Sequence, residues 1–149
     1  ILIQESCKFR NGGSIWFEDS GGSLLVGKKS TFESVSLAIV EPKSTITIGE
    51  DCMFAYDIEL RTSDSHSLID ANSGERINYA KDIHIGNHVW VGGKALILKG
   101  VKVADNSVIA AGSIVTKQFE QAGIVIGGNP ARQIKTGVDW SRKRIDKVD

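Results

Sequence analysis

Residues 83–117, which read IHIGNHVWVGGKALILKGVKVADNSVIAAGSIVTK, decide the fold of this chain. A β-branched aliphatic residue recurs at every sixth position through this stretch. Chance would rarely produce so long a series, and a fixed period is the signature of a repeat architecture. The six anchor residues are Ile85, Val91, Ile97, Val103, Ile109 and Val115.

A period of six residues is neither helical nor strictly alternating. It predicts a short strand followed by a turn, with three such units closing a triangular coil and stacked coils burying one column of anchors. The residue after an anchor is often small, as in Gly86 and Gly92. We expect it to supply the positive φ that a sharp turn needs. The predicted fold is therefore all-β, a parallel β-helix of hexapeptide repeats.

The repeat extends beyond the opening stretch. Ile48, Phe54 and Leu60 share its period, and the glycine-rich N-terminal part is compatible with further coils. We therefore predict a single domain over residues 1–149. Its charged tail, about residues 138–149, is predicted to form a short capping helix.

The repeat loses its phase once in this region. Leu60 and Ile85 are 25 residues apart, one more than four repeats. The segment 62–81 between them has little apolar content and is predicted to leave the coil as a protruding loop. Long loops in regular folds often carry function.

Composition argues against several classes of protein. Lys plus Arg and Asp plus Glu both number 18, so the zero net charge gives no electrostatic footprint for nucleic acid or an anionic membrane. No apolar run approaches the ~20 residues that span a bilayer, and no signal peptide is predicted. Cys7 and Cys52 have no disulfide or metal-site spacing, which favours free thiols in a cytoplasmic protein.

Four motifs lie in or beside the repeat region: Thr62-Ser-Asp-Ser-His66 followed by Gly74-Glu-Arg76, Ile85 to Gly92, Val103 to Lys117, and Gly127-Gly-Asn-Pro-Ala-Arg132. They resemble the hexapeptide-repeat acyltransferase superfamily, in its maltose, galactoside and xenobiotic acetyltransferase branch and among polysaccharide O-acetyltransferases. The resemblance covers about residues 46–135. It implies a left-handed helix, a homotrimer and active sites in clefts between subunits. Ala104 and Ala110 stand where Gly is usual, so those turns are expected to differ.

Acyl transfer from a thioester to a hydroxyl needs a general base, a donor for the developing oxyanion and close placement of the reactants. Histidine titrates near neutrality and is a natural base. The resemblance implies that His66, in the predicted loop, has this role. Asp57, Glu59 and Asp64 lie a short distance before it, and the sequence does not decide which carboxylate orients its ring.

The other two histidines are expected on the surface. His84 lies between inward-facing Ile83 and Ile85, so strand alternation points it outward. His88 lies at a variable position of a turn. A zinc site of three histidines is not predicted, because this spacing does not place three imidazoles on one tetrahedral centre.

The resemblance also implies acetyl-CoA as co-substrate, without a metal. Trp90 is expected to face outward and line the cleft for acceptor and pantetheine, with packing at the trimer interface as the alternative. Gly93 is expected to offer its backbone N–H near the thioester carbonyl, with another tight turn as the alternative. The other expected contacts are Ala110 and Ala111 along the pantetheine arm, and Thr116, Lys117, Arg132 and Lys135 at the phosphates.

These observations lead to one main hypothesis and two alternatives. The main hypothesis is an acetyl-CoA-dependent O-acetyltransferase acting on a sugar hydroxyl, of a surface polysaccharide or its precursor. The first alternative is acetylation of a small xenobiotic or a free sugar. The second, of another class, is a non-catalytic trimeric scaffold, and the presence of both the His66 loop and the CoA strip argues against it.

Overall fold

The computed structural model describes residues 1–147, and these form strands and turns without a helix. The first five coils each contribute one strand to each of three sheets, A, B and C, in that order along the chain. All strands pair in parallel except the last one of the chain, which pairs antiparallel with the strand before it. Sheet A contains β1 (Leu2–Ile3), β4 (Ser23–Val26), β7 (Thr45–Ile48), β10 (Ile83–Ile85) and β13 (Lys102–Val103). Sheet B contains β2 (Lys8–Phe9), β5 (Thr31–Phe32), β8 (Met53–Phe54), β11 (Trp90–Val91), β14 (Val108–Ile109), β16 (Ile124–Gly128) and β17 (Ala131–Thr136). Sheet C contains β3 (Gly13–Phe17), β6 (Val35–Ile39), β9 (Ile58–Arg61), β12 (Leu96–Ile97) and β15 (Ile114–Val115).

The anchor residues of neighbouring coils stack directly on one another. Ile85 pairs with Ile48 of the preceding coil and with Val103 of the following one. All six predicted anchors are fully buried, which confirms the predicted column. Because burying one such side chain contributes about 1.5–3 kcal/mol, coil-on-coil stacking is the main source of stability.

Positive φ angles follow the six-residue period, but the predicted position directly after the anchor was wrong. Gly86 and Gly92 have ordinary φ values, and so do Ala104 and Ala110, whose turns therefore carry no strain from alanine. Glycine is required after the anchor because the next coil lies close: a Cβ on Gly92 would lie 2.5 Å from the Ala111 amide nitrogen. The positive φ angles come three residues after five of the six anchors, at His88 (52°), Lys94 (63°), Gly100 (78°), Asn106 (57°) and Gly112 (69°).

Two columns of corners frame the sheet that is central to the candidate site. The B–C corner, which connects sheet B with sheet C, includes residues 55–57, 92–95 and 110–113. The C–A corner, which connects sheet C with sheet A, includes residues 98–101 and 116–118. The segment 62–82 leaves this C–A corner where β9 ends and returns where β10 begins, as the phase break predicts.

The C-terminal tail takes an extended path. Residues 138–147 form no helix, so the predicted capping helix is wrong there, and residues 148–149 of that prediction lie outside the described residues. The ring of Trp140 stacks on His88 at 4.1 Å between centroids, and its indole N–H donates to the His88 carbonyl at 2.8 Å. This path buries an aromatic face and satisfies its polar edge together. Within residues 1–147, no helix is long and apolar enough to cross a membrane.

Candidate active site

The protruding loop is pinned to the coil by Glu41, which follows β6 at the C–A corner. Arg76 donates two hydrogen bonds to it, from Nη1 to Oε2 at 3.0 Å and from Nη2 to Oε1 at 2.5 Å, and the Ser63 hydroxyl donates a third. The Arg76 hydrogen bonds hold the pKa of the Glu41 carboxyl below its usual value, against the opposing effect of burial. Bidentate Arg–carboxylate pairs fix geometry as well as charge, so both limbs of the loop are held at one point.

A second anchor joins the loop to the next coil. Lys99, which lies just after β12, donates to the Asp64 carboxylate and to the backbone carbonyl of Asn78, the latter at 2.9 Å. The Lys99 hydrogen bond lowers the pKa of Asp64, with a further contribution from the Asn78 amide. Asp64 is therefore a charged acceptor committed to the anchoring of the loop.

His66 is exposed on this anchored loop. Its backbone carbonyl accepts a hydrogen bond from Asn78 Nδ2 at 2.8 Å. Its imidazole has no hydrogen-bond partner among residues 1–147, so neither Asp57 nor Asp64 orients the ring within one chain. Asp57 instead lies at the B–C corner, before β9, whereas His66 follows the end of that strand. The exposed imidazole can therefore contact a group from outside the chain.

The B–C corner carries a smooth strip formed by three of the predicted donor-binding residues. Gly93 lies over the ring of Tyr56, and a Cβ there would come within 2.9 Å of a ring carbon. The Gly93 carbonyl accepts from the Gly112 amide at 2.9 Å, whereas the Gly93 N–H has no hydrogen-bond acceptor within residues 1–147. Ala110 and Ala111 continue the strip in the next coil. An N–H without a partner in the chain can donate to a developing oxyanion.

Trp90 lies at the edge of this strip on the outer face of sheet B, as predicted, with 39% of its surface exposed. Its ring is 6.2 Å from that of Trp140 in the C-terminal tail. The tail is further tied down by Arg142, whose Nε donates to Asp51 Oδ1 at 3.0 Å and whose Nη2 donates to the Cys52 carbonyl at 2.9 Å. The tail therefore lies beside Trp90 on the outer face of sheet B.

The predicted phosphate-binding residues lie in two different parts of the chain. Thr116 and Lys117 lie at the C–A corner and border a cleft of about 480 Å³ that His84 also lines. Arg132 and Lys135 are exposed on β17, where they pair with Gly127 and Val125 of β16. Arg132 thus pairs with a residue that adjoins the strip, because a Cβ on Gly127 would lie 3.0 Å from the Ala110 Cβ, whereas Thr116 and Lys117 lie at a different corner.

The histidines other than His66 have the expected surface positions, but His88 is not simply solvated. Its Nδ1 lies 2.8 Å from Asp51 Oδ2 and its Nε2 lies 3.1 Å from the Trp140 carbonyl, so it fastens the tail. His84 is exposed on sheet A beside Lys102. Within residues 1–147, no three His, Cys, Asp or Glu side chains form a cluster that would hold a metal.

Sequence reasoning missed the residues that hold the loop. The signal for Glu41 and Lys99 was available in principle, because both lie where β6 and β12 reach the corner from which the loop departs. Asn78 gave no such signal, because a lone asparagine in a polar loop is ordinarily solvated. Tyr56 was missed because its relation to Gly93 depends on the register between coils.

Comparison with known proteins agrees with this architecture. Residues 82–117 match the family model described as bacterial transferase hexapeptide (six repeats). The chain is 44% identical over 129 residues to a polysialic acid O-acetyltransferase of Escherichia coli O1:K1, covering 87% of this chain and 41% of the relative. It is 35% identical over 132 residues to the galactoside O-acetyltransferase of Escherichia coli K12, covering 83% of this chain and 62% of the relative.

Among solved structures, the polySia-specific acetyltransferase NeuO superimposes with a TM-score of 0.84 at 38% identity, covering 97% of this chain and 67% of that one. A galactoside acetyltransferase in complex with coenzyme A gives a TM-score of 0.63 at 25% identity, covering 96% and 74%. The chain spans 41–62% of the length of the curated relatives described above. These matches confirm the left-handed β-helix, and the chain belongs to the hexapeptide-repeat acyltransferase superfamily.

Proposed function

We propose that this chain is an acetyl-CoA-dependent O-acetyltransferase that modifies a sugar hydroxyl of a polysaccharide. The observation that carries the proposal is the doubly anchored loop, which presents an unpaired imidazole on His66. The similarity to polysialic acid O-acetyltransferases supports both the reaction and the kind of acceptor. Polysialic acid is therefore the first acceptor to test.

In the proposed reaction, His66 takes the proton of the acceptor hydroxyl as its oxygen attacks the thioester carbonyl. The carbonyl oxygen becomes negative and receives a hydrogen bond from the free N–H of Gly93. When the tetrahedral intermediate collapses, the C–S bond breaks and the proton on His66 passes to the leaving sulfur. The products are the acetyl ester and CoA thiol, and the imidazole is restored.

The proposed site needs two subunits, because one chain separates its parts. Gly93 precedes β12 and His66 follows β9, and these strands pair side by side in sheet C. The four-residue strand β9, about 13 Å long at about 3.3 Å per residue, lies between the corner column that carries Gly93 and the start of the loop that carries His66. The Lys99 and Glu41 anchors hold the loop at its own corner.

We infer a homotrimer in which sheet C faces the threefold axis. The C–A corner of one subunit then lies beside the B–C corner of the next, and His66 meets the strip that contains Gly93. Leu96 and Ile114, which face outward from sheet C and are half-buried, supply apolar surface for this contact. In the same cleft, Asp57 of the adjoining subunit is the carboxylate best placed to orient the His66 ring.

The donor is proposed to lie along the strip. Its pantetheine arm runs over Ala110 and Ala111 beside Trp90. Its phosphates reach Arg132 and Lys135, and, across the intersubunit cleft, the C–A corner that carries Thr116 and Lys117. A cytoplasmic location is part of the proposal, because both cysteines are free thiols, the state that a reducing compartment maintains.

The test is release of CoA thiol from acetyl-CoA in the presence of polysialic acid, other glycans, free sugars and small hydroxylated drugs. We expect release with the polysaccharide, and release only with small acceptors would favour the xenobiotic or free-sugar alternative. His66→Ala should lower kcat by ~10²–10⁴-fold, whereas His84→Ala should not. No transfer to any acceptor would favour the scaffold. A solution mass of one 16.1 kDa chain would contradict the intersubunit site.

A further inference from the structure

We propose that Asn78 is the positioning residue of the candidate active site, and that it acts by fixing the loop backbone at His66. The proposal rests on the proposed role of His66 as general base. Asn78 lies twelve residues further along the loop, on the limb that returns to the coil. It is only 7% exposed, although it lies in a loop whose other residues are mostly exposed.

The amide of Asn78 uses its whole hydrogen-bonding capacity. Its Oδ1 accepts from the Leu68 backbone N–H at 2.7 Å and from Arg76 Nε at 3.2 Å. Its Nδ2 donates to Asp64 Oδ2 at 2.7 Å and to the His66 carbonyl at 2.8 Å. Two donors on one side and two acceptors on the other settle which atom is oxygen and which is nitrogen.

This pattern distinguishes Asn78 from an ordinary loop residue. Its side chain holds the backbone on both sides of His66, at the His66 carbonyl and two residues later at the Leu68 amide. It also meets both anchors of the loop, because Arg76 is bound to Glu41 and Asp64 is bound to Lys99. The orientation of the His66 backbone is therefore set relative to the coil through one amide group.

A residue that acts in this way has a specific kinetic signature. Asn78 forms no hydrogen bond within residues 1–147 to any residue that is proposed to bind the donor, so its replacement should leave binding of the donor unchanged. The position of the base relative to the acceptor hydroxyl would change, and a misplacement of about 1 Å can cost about 100-fold in rate. We therefore expect kcat to fall while the KM for acetyl-CoA stays constant.

The most informative replacement is Asn78→Asp, which keeps the shape and the acceptor half of the amide but removes the donor half. At neutral pH the introduced carboxylate faces the Asp64 carboxylate and the His66 carbonyl without a proton to donate. We expect kcat to fall at least about tenfold, with the KM for acetyl-CoA within about twofold of the original. As the pH is lowered the introduced carboxyl gains a proton, so the ratio of variant to original kcat should rise.

Asn78→Ala removes both halves of the amide and should lower kcat without this pH-dependent recovery. The matched controls are Asn72→Asp and Asn72→Ala, at an exposed asparagine in the turn of the same loop, which should leave kcat unchanged. A kcat of Asn78→Asp equal to that of the original protein would overturn the proposal. So would a variant-to-original ratio that is independent of pH, or a loss expressed as a higher KM for acetyl-CoA.

A second readout separates this proposal from the proposed function. Backbone amide exchange at Leu68 reports the order of the loop whether or not the protein transfers acetyl groups, and the buried anchors of the coil report that each variant is folded. We expect Asn78→Ala to expose the Leu68 amide to exchange while Ile85 stays protected. If the original protein modifies no acceptor, the proposed function fails. If Leu68 is equally protected in Asn78→Ala, the positioning role fails.

Discussion

The guanidinium of Arg76 binds both carboxylate oxygens of Glu41, with nitrogen–oxygen distances of 2.5 and 3.0 Å. The two residues are 35 positions apart, and each side chain is about one-fifth exposed. Glu41 has a positive φ of 72° and lies at the C–A corner, from which the loop departs. This pair, with the Lys99–Asp64 pair, makes the loop a part of the scaffold.

Arg76→Lys is expected to lower kcat at least about tenfold, because a lysine keeps the charge but cannot reproduce the two parallel hydrogen bonds that hold the loop. Arg144→Lys, at an exposed arginine of the tail, is the matched control and should have no effect. Steady-state kinetics with acetyl-CoA checks this prediction. Equal kcat values for Arg76→Lys and the original protein would show that the charge alone is sufficient.

The periodic part of the fold could be predicted from the sequence because burial repeats with it. Val91 and Ile97 occupy equivalent positions in successive strands, so local spacing already encodes their contacts. The departure of the His66 loop was also predictable, since an extra residue cannot be absorbed by a coil with fixed corners. The sequence did not reveal the contacts between side chains of different coils, because these depend on how the coils stack. Lys99 meets Asp64 across 35 positions and Trp140 meets His88 across 52.

Glycines in the B–C corner should differ in their response to alanine. Gly92→Ala places a Cβ 2.5 Å from a backbone nitrogen of the next coil, which cannot move without separating the coils, so we expect a loss of about 2–3 kcal/mol in the free energy of unfolding. Gly112→Ala meets open space but has a φ of 69°, and should cost about 1 kcal/mol. Urea denaturation measures both. The reverse order would show that the close approach of the next coil does not require glycine directly after an anchor.

Acid should release the loop before it unfolds the coil. The pKa values of Glu41 and Asp64 are lowered in the folded protein, so their stabilising effect is present above their ordinary pKa values and is lost as the pH falls through the folded ones. We expect protection of the Leu68 amide from exchange to decline below about pH 4, while that of Ile85 persists.

Lys99→Met tests the cause of that acid response. In this variant the Leu68 amide should be less protected from exchange at neutral pH, because the Asp64 carboxylate no longer has its main partner. Acidification should then cause a smaller further loss of protection than in the original protein. Lys143→Met, in the exposed part of the tail, should behave like the original protein. An unchanged acid profile in Lys99→Met would mean that the Asp64 pair does not hold the loop.

The C-terminal tail should contribute measurably to stability in spite of its irregular path. Trp140 is 9% exposed, stacks on His88 and donates to its carbonyl, so Trp140→Ala should cost about 3 kcal/mol in the free energy of unfolding. Trp140→Phe keeps the stacked ring and loses the hydrogen bond, and should cost about 1 kcal/mol. Ile145→Ala, at a side chain that is 80% exposed, is the control and should be neutral. Urea denaturation measures these free energies of unfolding. No change in Trp140→Ala would mean that the tail does not stay on sheet B in solution.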